Sequence, residues 1–165
     1  MAIKPERRIV VKLPLGGGCM CGAIRYEITE APLGVYACHC TDCQRITSSG
    51  FSLAIVVSAE AFRVTGKEAR VAPVVVAASG RPKKRWICPD CGVWLFGDPR
   101  PDTNGPGLVR VVRGGTFDDT SWIKPTIHFW TRSAQTWLML DGLTYETQPE
   151  DLAARAHGGS GGKAL

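Results

Sequence analysis

Apolar and polar residues alternate with a period of two along much of the chain. Between 23 and 29, Ile24, Tyr26 and Ile28 fall on one side and Arg25, Glu27 and Thr29 on the other. That is the signature of a strand with one buried face. Phe51, Leu53, Ile55 and Val57 repeat the pattern, and Phe62 and Val64 give a short continuation before Gly66. Further strands are predicted at 70–77, 84–88, 93–96, 108–112, 126–130 and 136–140. Turn chemistry separates them at 98–101, at 104–107 and at Gly114-Gly115. Two short helices are predicted. One begins near Thr41 or Asp42, where either side chain can cap residues 43–47. The other spans 149–156, with Glu150 and Asp151 in its first turn. The expected fold class is therefore all-β (mainly β), with one or two short helices. No repeat of fixed period is visible. Residues 1–14 read as an N-terminal arm or leading strand, 15–148 as one domain, and 149–165 as a short helix and a flexible glycine-rich tail.

Composition narrows the class. The 165 residues are 44% hydrophobic and 21% charged, which suits one domain with a real core and argues against disorder. The 19 glycines and 11 prolines favour many short strands and turns over a helix bundle. No apolar run reaches the ~18–20 residues that span a bilayer, and the opening segment does not read as a secretory signal. A net charge of +5 is mild. The one basic cluster, Arg81, Lys83, Lys84 and Arg85, is a weak nucleic-acid footprint and reads better as a basic edge beside a negatively charged site.

Cysteine carries the chemistry. All seven fall in three clusters: Cys19 and Cys21; Cys38, Cys40 and Cys43; Cys88 and Cys91. An odd count suits a disulfide framework poorly, and reduced thiols suit a cytoplasmic protein. Residues i and i+2 of a strand point the same way, so each C-x-C pair can converge on one ion. Cys88-Pro89-Asp90-Cys91-Gly92 resembles a zinc knuckle, and Gly22 follows Cys21 as Gly92 follows Cys91. Seven thiolates divide as four plus three. Four close a structural site, most simply one C-x-C with the C-x-x-C, while three leave a coordination position open for chemistry. Two other readings stand beside this: a redox dithiol at Cys88 and Cys91, and metal-free thiols at 38–43. Strand alternation turns His39 away from Cys38 and Cys40, so it reads as a supporting residue rather than a ligand. His128 reads as a buried, hydrogen-bonded strand residue and His157 as exposed.

The motifs together resemble a known family. Gly17-Gly18-Cys19-Met20-Cys21-Gly22-Ala23-Ile24-Arg25-Tyr26 is similar to the opening of the glutathione-dependent formaldehyde-activating enzyme and centromere protein V family. Cys38-His39-Cys40-Thr41-Asp42-Cys43-Gln44-Arg45 is similar to its C-H-C-x-x-C segment. Ser79-Gly80, Arg85 to Gly92, Gly115 to Asp119, and Ile127 to Trp130 with Ser133 and Trp137 follow in the family's order. The resemblance spans about residues 15–140 and all seven cysteines. It implies a β-tent zinc-binding fold of short antiparallel sheets. It implies a structural zinc on Cys19, Cys21, Cys88 and Cys91, and a second, catalytic-type zinc on Cys38, Cys40 and Cys43. The implied activity is a carbon–sulfur lyase on small thiol–aldehyde adducts, joining glutathione and formaldehyde reversibly in S-hydroxymethylglutathione. Arg45 and Ser48 are candidates to hold a carboxylate of the thiol. Asp118 and Asp119 read as turn and cap residues. The alternative is a non-catalytic, zinc-stabilised binding module with an inert or empty second site.

Overall fold

The computed structural model describes residues 11–78, 80, 82–98 and 108–149. These form thirteen short strands, one α-helix and two 3-10 turns. The first sheet holds β1 (Leu15–Gly18), β2 (Ile24–Ile28) and β5 (Phe62–Gly66), in the order β1-β2-β5. The second contains β3 (Gly34–Cys38), β4 (Ser52–Ser58), β6 (Arg70–Val71), β9 (Arg85–Ile87), β10 (Trp94–Gly97), β11 (Val109–Arg113), β12 (Ile127–Phe129) and β13 (Leu143–Tyr145). Its order is β13-β12-β3-β4-β11-β10-β9-β6. A small ribbon pairs β7 (Val75–Val76) with β8 (Pro82–Lys83). Helix α1 (Thr41–Thr47) follows β3 directly.

The core lies between the first two sheets. Leu15, Ile24, Tyr26 and Ile28 from one meet Val35, Ile55, Val57, Leu95 and Val112 from the other. The strand period explains the division, because Ile24, Tyr26 and Ile28 are buried while Arg25 and Glu27 are exposed. Phe117 joins this core and meets Tyr26 edge-on. The opposite face of the eight-stranded sheet is partly covered, with Ala54 and Ser52 buried and Tyr36 and Arg113 half-buried. Tyr36, Ala54 and Arg113 form one cross-strand row, and Cys38 and Ser52 form the next. Residues directly opposite across a ladder share a face, so Tyr36, Cys38, Ser52 and Arg113 stand together on the side away from the core.

Several expectations need correction. Strand β3 escapes a polar–apolar reading because Val35 and Ala37 alternate with Gly34, Tyr36 and Cys38, which carry no charge. The segment 70–77 is two short strands interrupted at Pro73, where the missing N–H breaks a ladder. Residues 136–140 are not a strand, and the sheet edge is β13 instead. The large sheet is mixed rather than purely antiparallel, since β12 runs parallel to both β3 and β13. The expected segments at 1–10, 104–107 and 150–165, together with Arg81 and His157, lie outside the described residues. No helix among the described residues is long and apolar enough to cross a membrane.

Ile55 is fully buried at the centre of this packing, paired with Val35 on one side and Val112 on the other. Ile55→Ala is expected to lower unfolding free energy by about 2–5 kcal/mol, and Ile55→Val by about 0.5–1.5 kcal/mol. Urea denaturation of both variants measures the difference.

Candidate metal centres

The structure brings the seven cysteines into two groups. Cys19 and Cys21 follow β1, and Cys88 and Cys91 follow β9, so one group joins the two sheets. Its four sulfurs lie within 4.8 Å of one another. Cys19 and Cys21 are 3.5 Å apart and Cys21 and Cys88 are 3.7 Å apart, Sγ to Sγ. A tetrahedral ion with metal–sulfur bonds of ~2.3 Å sets its ligands roughly 3.8 Å apart, whereas a disulfide needs ~2.05 Å. The spacing therefore fits four ligands on one ion, and none of these cysteines is disulfide-bonded. Backbone donors support the sulfurs. The Ile24 N–H reaches Cys19 Sγ at 3.3 Å. Cys91 is held down to about 6, first by the Val93 amide and then by hydrogen bonds from Cys21. Gly22 and Gly92 take φ values of +77° and +74° immediately after the second cysteine of each pair. Space is open around both, so the left-handed backbone rather than crowding calls for glycine.

The second group is Cys38, Cys40 and Cys43, whose sulfurs also lie within 4.8 Å of one another. Cys38 ends β3, and Cys40 is the N-cap of α1. The cap is a correction to the expectation of Thr41 or Asp42: the Cys40 sulfur accepts from the Cys43 N–H at 3.4 Å. Cys38 and Cys40 sit 3.6 Å apart. Hydrogen bonds from Cys38 and Cys43 pull Cys40 well below the usual thiol range, with the Lys83 charge adding to them. Lys83 Nζ lies 3.5 Å from Cys43 Sγ and 3.9 Å from Cys40 Sγ. Burial works against its charge, but the Cys43 and Cys40 thiolates outweigh that and raise it.

The histidines act behind the sulfurs. His39 is 1% exposed, and its Nε2 lies 3.0 Å from His128 Nδ1. His128 Nε2 reaches the Asp141 carbonyl at 3.2 Å. A carbonyl only accepts, so His128 carries its proton on Nε2 and accepts from His39. Gln44 Nε2 donates to the His39 and Ser133 carbonyls, and Ser133 Oγ donates to the His39 carbonyl as well. These bonds fix the Cys38-His39-Cys40 turn against the segment after β12.

A cleft of about 530 Å³ opens beside the trio, and all three cysteines line it. Its wall includes Lys83, Lys84, Arg85, Arg113 and Arg132, against the carboxylates of Asp42 and Asp98. The basic cluster read in the sequence thus faces a thiolate site, as far as its described members go. Arg45 and Ser48 are exposed on α1 and at its C-cap, and neither lines the cleft. The sequence reading missed Arg113, Tyr36 and Trp94, which come to the cleft from three different strands. Asp118 pairs with Arg25, which holds its carboxyl below the usual range, and Asp119 caps the Ser121 N–H at 2.9 Å.

The profile of the family described as glutathione-dependent formaldehyde-activating enzyme matches residues 14–133. The chain belongs to this family. Both cysteine groups, the His39 turn and most of the cleft fall inside the matched span. Among its curated relatives, a Penicillium rubens protein is 32% identical over 109 residues, covering 65% of this chain and 55% of its own length. An Emericella nidulans protein is 33% identical over 103 residues, covering 59% of this chain and 51% of its own. Both carry the family name provisionally. The chain thus spans about half the length of the curated relatives it matches. A solved Rhodobacter sphaeroides protein is similar over 62% of this chain and 87% of its own, at 18% identity and a TM-score of 0.43.

The quartet bridges two sheets through Cys88, which is fully buried. Cys88→Ser is expected to collapse the thermal transition, whereas Cys43→Ser, at a helix on the opposite face, should leave a cooperative transition of the same sheets. Acid should release metal from both groups, because thiolate ligands must stay deprotonated. Thermal melts and metal content measured from neutral to acidic pH check both points.

Proposed function

We propose that the chain is a zinc-dependent carbon–sulfur lyase acting on small thiol–aldehyde adducts. The observation that carries this reading is the trio: three cysteine sulfurs within 4.8 Å of one another at the wall of a cationic cleft, separate from a quartet that uses every ligand on structure. Both groups suit zinc, because an all-thiolate set selects soft or borderline metals and zinc accepts tetrahedral sulfur ligation. Cys19, Cys21, Cys88 and Cys91 would hold the structural ion; Cys38, Cys40 and Cys43 would hold the one that meets substrate. A zinc ion there supplies Lewis acidity that favours the thiolate form of a neighbouring thiol.

The protein's own residues prepare the surroundings. Three thiolates on a divalent ion leave one negative charge, and Lys83 lies within 3.5 Å of Cys43 to offset it. This makes the site tolerant of a further anionic sulfur. Counting Lys83, the cleft wall holds five cations against two carboxylates, which raises the local concentration of an anionic substrate. The reaction needs little else from the chain. Cleavage of a hydroxymethyl thioether sends the carbon–sulfur electron pair to sulfur, and the hydroxyl gives up its proton as the aldehyde forms. Glutathione and formaldehyde are the pair that the family name supplies, and the cleft charge suits the tripeptide's carboxylates. The Gln44, Ser133 and His39–His128 bonds hold the ligand turn, so the sulfurs do not have to be gathered when substrate arrives.

Zinc-loaded protein should accelerate exchange between glutathione and formaldehyde, read by two-dimensional exchange NMR of the S-hydroxymethyl signal. Cys40→Ser should lose that exchange at least about a hundredfold, retain one metal ion per chain and remain folded. Uncatalysed exchange in fully loaded wild-type protein would instead mark a metal-stabilised binding module.

A further inference from the structure

Two arginines in the cleft are held in place yet lack partners for one nitrogen each. Arg113 Nη1 donates to Ser52 Oγ at 2.6 Å, and its guanidinium stacks on Trp94 at 4.2 Å from the ring centroid. Arg85 approaches the same ring at 6.0 Å, and its Nη2 reaches the Pro73 carbonyl at 3.4 Å. The Nε atoms of both arginines are buried and have no hydrogen-bond partner among the described residues. Both side chains line the cleft that the cysteine trio lines.

A buried guanidinium N–H without an acceptor is costly, and native interiors rarely leave one so. Two such atoms on cations fixed around one indole amount to a prepared anion seat. The guanidinium edge containing Nε presents parallel N–H donors, which match the two oxygens of a planar carboxylate.

Position follows from the ladder. Ser52 is the cross-strand partner of Cys38, so the Arg113 guanidinium is drawn to within one strand of the trio, ~5 Å in the hydrogen-bonding direction. Arg85 starts from β9, beyond β11 and β10, so it stands farther out along the same face. Along the sheet, the strands that carry them follow in the order Cys38, Arg113, Trp94, Arg85.

We propose that Arg113 and Arg85, both set against the Trp94 ring, form a carboxylate seat that binds acids in this cleft independently of any thiol. The inference rests on the cleft beside the trio being the substrate site. It deepens that reading, because the preferred thiols then bear a carboxylate, and thiol-free carboxylates compete with them. Asp98 shares the wall but is engaged by Arg110 at 3.7 Å, and Asp42 accepts the Ala78 N–H.

The probe is S-methylglutathione, which keeps both carboxylates and has no free thiol. Calorimetric titration of the metal-loaded protein should give binding at least about tenfold tighter than for its dimethyl ester, the loss expected for a hydrogen bond to a charged partner. Arg113→Lys and Arg85→Lys keep the charge but lack Nε, and each should weaken the acid about tenfold while leaving the ester unchanged. Equal affinity for acid and ester in wild-type protein, a comparison that needs no variant, overturns the seat. Unchanged acid binding in both lysine variants overturns it as well. Acid preference without catalysed exchange would leave the seat standing and defeat the lyase reading; exchange without acid preference would do the reverse.

Discussion

Sulfur convergence between the two sheets is the constraint on which the rest depends. Cys19 and Cys21 hang from the end of the three-stranded sheet, and Cys88 and Cys91 from the large one. Their meeting fixes how the sheets face each other. Cys19 and Cys88 belong to the same buried cluster as Ile24, Ile55 and Leu95. An ion held at this point would be part of the core and not an appendage to it, and its binding free energy would also be folding free energy. With the inner faces pinned, the outer face of the eight-stranded sheet is left as a rigid platform.

Function is placed on that platform by the pleat. A period of two sends Val35 and Ala37 inward and Tyr36 and Cys38 outward, so one short strand serves the core and the cleft at once. Helix α1 then starts at Cys40 and returns Cys43 to the same spot. The two thiolate groups differ less in chemistry than in surroundings. The quartet is backed by amides and apolar side chains. The trio faces Lys83, Arg113 and open cleft. A saturated ligand set in the core suits permanence, and an incomplete one beside fixed cations suits exchange of an anionic guest.

The metal framework was legible in the sequence because its signals are local. C-x-C, C-x-x-C and the following Gly22 and Gly92 are spacings that one strand or one turn can satisfy, and the division into four and three matches the two groups in space. The alternation at Ile24, Tyr26 and Ile28 was legible for the same reason. His39 was set apart from the ligands by strand alternation and His128 by its apolar neighbours, but their bond to one another was not legible. What could not be read is cross-strand. Arg113, Trp94 and Arg85 come together only through the β11-β10-β9 register, and no periodicity within one strand encodes that. Arg45 and Ser48 lay close to the trio in sequence and were chosen for it, but the helix carries them away from the cleft. The parallel pairing of β12 was hidden likewise, since a three-residue strand carries no signal of its direction.

The most direct measurement is a crystal structure of the zinc-supplemented, reduced protein with anomalous data on both sides of the zinc edge. Two peaks per chain are expected, one surrounded by Cys19, Cys21, Cys88 and Cys91, the other by Cys38, Cys40, Cys43 and a ligand from outside the protein. A single peak, or a trio joined by a disulfide under those conditions, would contradict the assignment of an open metal site at the cleft.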